Sequence, residues 1–367
     1  MIAERDIAGF VLPFTVGIIA STALADTFLT TSAAPAALSA ILVSVPTFLL
    51  IHPSRYRWSR HILNFLLIAA SAGCGLFTGF TQSLCSLSSS HGIPPVPDML
   101  TSLSESLKSH IGKIQFQNAA TNSIITALIT GDRADISPET VAAFRESGAS
   151  HILALSGLHL GIIYGIISHL LSFIGHRPRA IKIKALLIIA SCGLYTAITG
   201  AGASITRAFL FILIGETMRL CNRYRSTAQV LITSLFIQLL FSPESIKEVG
   251  FQLSYAAMAG IAFIFPRLKN IWPKGKGGLM KWIWISAAMS VSSQTTTGPL
   301  AYFYFGTFPQ HFLLTNLIAM PLTGIMIPSA LLTLTLDAAG ACPGFLISFT
   351  EALVELMTDA LSIIASM

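Results

Sequence analysis

Apolar residues along this chain come in long unbroken runs, each near the ~20 residues that a membrane-crossing helix requires. The runs fall near 8–29, 33–51, 61–83, 151–174, 185–201, 204–220, 226–242, 249–266, 282–300, 312–336 and 344–366. They are continuously apolar rather than alternating. That pattern selects helices, which satisfy their own backbone hydrogen bonds in lipid, over the shorter alternating strands of a membrane barrel. It predicts an all-α, polytopic helical membrane protein with about 11 transmembrane or re-entrant helices.

One long polar interval, Cys85 to Ser150, divides the runs. It opens with a Ser-rich linker and "GIPPVPD", whose prolines disfavour helix. In Met99 to Thr130, Leu103, Leu107, Ile111 and Ile114 recur at spacings of three and four, which predicts an external amphipathic helix on the membrane surface. After it, Ser137, Pro138 and Glu139 form a helix start: a cap, proline at the first helical position and an acid in the first turn. The expected organisation is an N-terminal three-helix membrane segment (1–84), an external linker with the start of the amphipathic helix (85–119), and a membrane domain (120–367).

Composition agrees. Only 10% of residues are charged and mean hydropathy is +0.73, against about a quarter charged in soluble domains. The net charge of +6 follows from placement in alternate loops. Arg55, Arg57 and Arg60 follow the second run; Arg177, Arg179, Lys182 and Lys184 the fourth; Arg219, Arg223 and Arg225 the sixth; Arg267, Lys269, Lys274, Lys276 and Lys281 the eighth. By the positive-inside rule these loops, and the N-terminus, are cytoplasmic, so the charge by itself is weak evidence for an anionic partner. The first run has no clear small-residue cleavage site and reads as a retained helix. The five cysteines, 74, 85, 192, 221 and 342, lack paired spacing, so neither a metal nor a disulfide framework is implied, and no cofactor is expected.

Ionisable groups at membrane depth cost about 2.5–3.5 kcal/mol each on insertion scales, which makes each a functional candidate. His151, His159 and His169 lie in the fourth run, Arg207 and Glu216 in the sixth, and Glu248 at the mouth of the eighth. His169 and Glu216 can snorkel to the inner interface and read as structural. The most unusual stretch is "GASHILALSGLHLG", Gly148 to Gly161. In a continuous helix His151, Leu155 and His159 would share one face, with Ser156 three residues before His159. Gly157 and Gly161, four apart, suit either close helix packing or a break lining a polar cavity.

"TGAGASITRAF", Thr199 to Phe209, reads as a re-entrant turn or discontinuous helix. Arg207 stays charged, so it needs a carboxylate, for which Asp132 and Glu248 are available, or an anion in transit. Gln252, Ser254, the hydroxyl-rich tract Ser290 to Thr297 and Asn316 can line a path or bridge helices. Tyr302 to Phe305 suit an interfacial belt better than a base-stacking platform. Ser156 with His151 or His159 as base and Asp132 as orienting group would make an intramembrane serine hydrolase. Against that, adjacent turns of one helix aim such groups poorly, and no GxSxG elbow occurs.

The ordered set "LITGDR", "GASHILALSGLHLG", "SITRAF", "EVGFQLSYAA" and "TTTGPLAYFYFG" with "TNLIAMPL", from about residue 120 to 330, resembles the ComEC-type competence proteins. The resemblance implies a multi-pass channel in the bacterial inner membrane that passes single-stranded DNA into the cytoplasm during natural transformation, with 120–367 as channel domain. It implies conduit-shaping roles for Asp132, His151, Ser156, Gly157, His159, Arg207, Glu248, Gln252, Ser254 and Asn316, and no catalytic residue. Glu248 stands where the family usually has Asp. The implied partners are single-stranded DNA and membrane lipid, with a periplasmic DNA receptor, a separate nuclease and a cytoplasmic ATP-driven helicase. Full-length relatives also carry an oligonucleotide-binding-type domain and many a metallo-β-lactamase-like domain. Here the interval before the GD pair is too short and Ser/Pro-rich for a barrel, and no HxHxDH motif occurs, which implies a short form lacking both, either a working channel or a scaffold without transport.

Overall fold

The computed structural model describes residues 11–21, 68–69, 71–76, 78, 98–175, 177–221, 226–272, 278–308 and 310–367. The run at 33–51, much of those at 8–29 and 61–83, Cys85, and Arg55, Arg57, Arg60, Arg223, Arg225, Lys274 and Lys276 lie outside them. The described residues form helices and turns, with no strand among them. In chain order the helices are α1 Val11–Ser21, α2 Asp98–Lys113, α3 Ala119–Thr130, α4 Pro138–Glu146, α5 Ser150–Leu153, α6 Gly157–Leu170, α7 Pro178–Ile198, α8 Ala203–Leu220, α9 Thr227–Phe241, α10 Val249–Phe263, α11 Phe265–Lys269, α12 Leu279–Phe305, α13 Phe312–Ala338 and α14 Gly344–Ala365. Among the described residues four stretches are long and apolar enough to cross a membrane: Gly157–Ile174, Pro178–Ile198, Val249–Lys269 and Phe312–Ala338. The chain is an all-α membrane protein.

It divides into two compact units, Met1–Pro94 with Tyr224–Tyr255, and Pro95–Arg223 with Ala256–Met367. In the first, the Phe14 ring of α1 meets Phe236 of α9 edge-on at 4.9 Å. The Tyr255 hydroxyl of α10 donates to Gln238 Oε1 of α9 at 3.0 Å.

The second unit is built around one apolar core. Ile111 and Ile114, the α3 residues Ile124, Ile125 and Leu128, Phe144 of α4 and Ile152 of α5 pack with Met326, Ala330 and Leu334 of α13 and Val354, Met357 and Leu361 of α14. The stretch expected as one surface helix is therefore two. α2 keeps the amphipathic pattern, with Ile111 buried. A break at 114–118 follows, and α3 goes into the core because its sequence, AATNSIITALIT, has no charged face to keep outside. The Ser137–Pro138 start is as expected: Ser137 Oγ accepts the Thr140 N–H at 3.2 Å, with Pro138 in the first turn.

Hydrogen bonds fasten this polar interval to the long helices. Tyr195 of α7 donates to the Ile129 carbonyl at 2.7 Å, and Thr315 of α13 donates to the Ser147 carbonyl at 2.6 Å. Glu351 of α14 accepts the Asn118 N–H at the start of α3 at 2.6 Å. Glu351 is buried; a carboxylate is favourable there because unpaired N–H groups and the helix dipole make the N-terminus of α3 positive.

Candidate functional site

The Gly148–Gly161 stretch is a broken helix. α5 ends at Leu153, Ala154 is extended with ψ of 132°, and Ser156 caps a new helix beginning at Gly157. The expectation that His151, Leu155 and His159 share a helical face is corrected by this break. His151 is exposed, its Nδ1 3.2 Å from the Gly148 carbonyl. Ser156 and His159 instead cap each other. The Ser156 N–H donates to His159 Nδ1 at 3.3 Å, Ser156 Oγ lies 3.0 Å from the same nitrogen, and Ser156 Oγ accepts the Leu158 N–H at 3.3 Å. Histidine takes the place that Glu or Gln fills in a common capping box. Because Nδ1 accepts, the neutral ring carries its proton on Nε2. His159 is fully buried, and Nε2 has no hydrogen-bond partner among the described residues; a buried donor left so is costly.

The break also decides what the glycines do. A Cβ on Gly157 would lie 3.1 Å from Arg207 Nη2, whereas around Gly161 there is open space. The two glycines are not a helix-packing pair; Gly157 makes room for one guanidinium. Arg207 is buried at 6% exposure on α8. It thus stands beside the first residue of α6, whose N-terminus is itself positive. Two positive sources converge at one buried place. Around it Leu160 of α6, Ile188 and Cys192 of α7 and Ile205 of α8 form an apolar cluster.

"TGAGASITRAF" contains a tight turn between two packed antiparallel helices. α7 ends at Ile198, Gly200 and Ala201 take positive φ, and α8 starts at Ala203. Gly200, Ala201 and Gly202 are exposed.

Asp132 does not serve Arg207. Its carboxylate holds Lys108 of α2 at 2.5 Å and accepts the Ala134 N–H at 3.1 Å, organising the α3–α4 loop. The Lys108 hydrogen bond and then the Ala134 N–H keep its carboxyl below the ordinary range. Its neighbour Gly131 ends α3 at φ +83°, and Leu155, from the break, lies where a Gly131 side chain would be. The GD pair is thus packed against the break through Gly131 and Leu155. Asn316 sits one residue beyond Thr315 on α13, and its Oδ1 is buried with no hydrogen-bond partner among the described residues.

Glu248, Gln252 and Ser254 belong to the other compact unit. Glu248 is exposed, and Gln252 Nε2 donates to the Ile246 carbonyl at 2.8 Å. The hydroxyl tract of α12 bonds mainly to its own helix, with Thr296 also donating to the Ala256 carbonyl at 2.7 Å. Tyr302, Phe303, Tyr304 and Phe305 are all exposed. Among the described residues no group of three or more His, Cys, Asp or Glu could hold a metal ion, and Cys74, Cys192, Cys221 and Cys342 are free thiols.

Comparison with known proteins bears on the same segment. A family model described as Competence protein matches residues 128–367, which contain the break, Arg207 and Asn316. The chain belongs to the competence protein family. Within the curated members of known proteins, it is 29% identical over 227 residues to ComE operon protein 3 of Bacillus subtilis, covering 61% of this chain and 27% of that protein. It is 27% identical over 146 residues to Uncharacterized protein YcaI of Escherichia coli, covering 39% of this chain and 19% of that one. The competence-family chain thus aligns with about a quarter or less of the length of these relatives. No solved structure matches it.

Lys108, Tyr195, Thr315 and Glu351 were not singled out by the sequence. Three lie in or beside apolar runs where a single hydroxyl or acid is unremarkable, and their partners are 24 to 233 residues away.

Proposed function

We propose that this competence-family chain is a multi-pass channel of the bacterial inner membrane, N-terminus cytoplasmic, that passes single-stranded DNA inward during natural transformation. The observation that carries this reading is the meeting of Arg207 with Gly157 at the N-terminus of α6, the helix that two residues on also holds the buried His159. A phosphodiester passing there meets both positive sources, the guanidinium and the helix N-terminus. A single guanidinium at this place, rather than a basic stripe, suits passage, because a polyanion must bind strongly enough to enter and weakly enough to leave. Asn316 contributes a polar wall to this path and His151 its mouth, and Glu248, Gln252 and Ser254 are polar positions of the other compact unit. Membrane lipid surrounds the channel, and a periplasmic receptor, a separate nuclease and a cytoplasmic helicase deliver, trim and draw in the strand.

The experiment is complementation of a deletion strain, scoring uptake of labelled DNA alongside membrane abundance of the protein. Arg207→Ala and His159→Ala are expected to insert at wild-type levels and to lose uptake. Wild-type uptake by both would remove the site assignment, and no uptake by the unaltered chain would favour a scaffold.

One contact favours a second reading, an intramembrane hydrolase: Ser156 Oγ lies 3.0 Å from His159 Nδ1. The remaining geometry weighs against it. Nδ1 also accepts the Ser156 N–H, the Asp132 carboxylate holds Lys108, and Nε2 has no orienting partner among the described residues. Labelling of Ser156 by a fluorophosphonate would reverse that judgement.

A further inference from the structure

α6 and α8 meet through polar side chains of α8 at two heights. At the upper one, Arg207 fills the space left by Gly157. At the lower one, the Tyr164 hydroxyl of α6 donates to Glu216 Oε1 of α8 at 2.8 Å, and Arg219 Nη1 donates to Glu216 Oε2 at 3.4 Å. Glu216 is buried at 2% exposure, while the Arg219 side chain is half exposed. Between the two heights the contact is apolar, with Leu160 of α6 in one cluster with Ala208 and Ile212 of α8.

The spacing makes these contacts a clamp. Seven residues separate Gly157 from Tyr164, about 10.5 Å of helix, and nine separate Arg207 from Glu216, about 13.5 Å. Both increase in the same chain direction, so α6 and α8 run parallel, close together at Gly157 and bonded at Tyr164. An apolar interface tolerates a slip of one turn by exchanging one aliphatic neighbour for another. A buried carboxylate with one hydroxyl donor on the facing helix does not, since slipping takes the Tyr164 hydroxyl from Oε1 and leaves only Arg219 of its own helix on Oε2, and fixing register is the best-attested use of such groups.

We propose that Glu216 is a positioning residue: through Tyr164 it sets the axial register of α6 on α8, and so keeps the Ser156–Gly157 break opposite Arg207. That this register matters for DNA passage rests on the function proposed above; the register itself does not.

The test separates the two. With the five native cysteines replaced by alanine, spin labels are placed at Gly165→Cys on α6 and Thr217→Cys on α8, both exposed positions. The distance between them is measured in lipid, and DNA uptake is scored with the same set of substitutions. Glu216→Leu is expected to shift the separation by on the order of 5 Å, one helical turn, or to split it into two populations. It should also cut uptake about tenfold, in line with the loss of a charge-assisted hydrogen bond. Glu216→Gln keeps an acceptor for Tyr164 and should restore both. Tyr164→Phe, a milder change if Glu216→Leu fails to accumulate, should broaden the distance distribution. A single wild-type distance in Glu216→Leu, or in Tyr164→Phe if only that variant accumulates, overturns the positioning role. A shifted distance with unchanged uptake keeps the positioning role and overturns the conduit reading of the break.

Discussion

Gly157 and Arg207 share one small volume: the guanidinium lies where a side chain on Gly157 would begin, 3.1 Å from the ideal Cβ. At that distance alanine is tolerated only if the guanidinium gives way by a few tenths of an ångström, and anything larger displaces it. Gly157→Val is therefore expected to reduce uptake as Arg207→Ala does, and the double variant to be no worse than either single. Arg207→Lys keeps charge without the fork and should retain only part of the activity. Uptake assays with all four variants at matched membrane abundance check this; additive losses would show that the two positions act separately.

Gly131→Ala tests whether the GD pair supports the break. Left-handed backbone costs a residue with a side chain about 1–2 kcal/mol, and the new methyl would also meet Leu155. A lower unfolding midpoint in detergent is expected, together with reduced uptake. An unchanged midpoint would mean that neither the positive φ nor the Leu155 contact matters.

The Lys108–Asp132 pair gives a pH dependence. Its carboxyl in the folded state lies below the ordinary 3.8, so the pair's contribution is fully present above about pH 4 and is lost as pH falls through the lower folded value. Both side chains are about a third exposed, which limits the pair to about 1 kcal/mol or less. Asp132→Asn should be slightly less stable than wild type at pH 7 and converge with it in acid, as measured by denaturation from pH 7 to pH 2. A gap that widens in acid would contradict the assignment.

Glu351 caps α3 from a helix 233 residues away in sequence. Glu351→Gln keeps an acceptor for the Asn118 N–H but loses the charge at a helix N-terminus, a loss of about 0.3–1 kcal/mol. Glu351→Leu loses both the charge and the acceptor, and because Asn118 is exposed and its N–H can turn to water the further loss is about 0.5–1.5 kcal/mol. The expected order of unfolding midpoints is wild type, Gln, Leu; equal values for Gln and Leu would show that the hydrogen bond contributes nothing.

Most helices were legible because lipid imposes a single rule. The run at 226–242 matches α9 at 227–241 and that at 312–336 matches α13 at 312–338 almost residue for residue. The fourth run was different: its apolar content reads as one span, while a cap formed by Ser156 and His159 splits it at Ala154. A capping box usually shows Glu or Gln three residues after the cap, and histidine in that place gave no signal.

The sequence alone determined that this chain is helical, where most of its helices lie and which polar groups interrupt its apolar runs, since these follow from apolar run length and from the cost of burying charge. Which polar group meets which was decided only by tertiary structure. Arg207 could have paired with Asp132 on charge alone, but Asp132 is held by Lys108 and Arg207 lies against Gly157. Such pairings depend on the register in which helices pack, and register is set by contacts between residues tens to hundreds of positions apart, which no local pattern encodes.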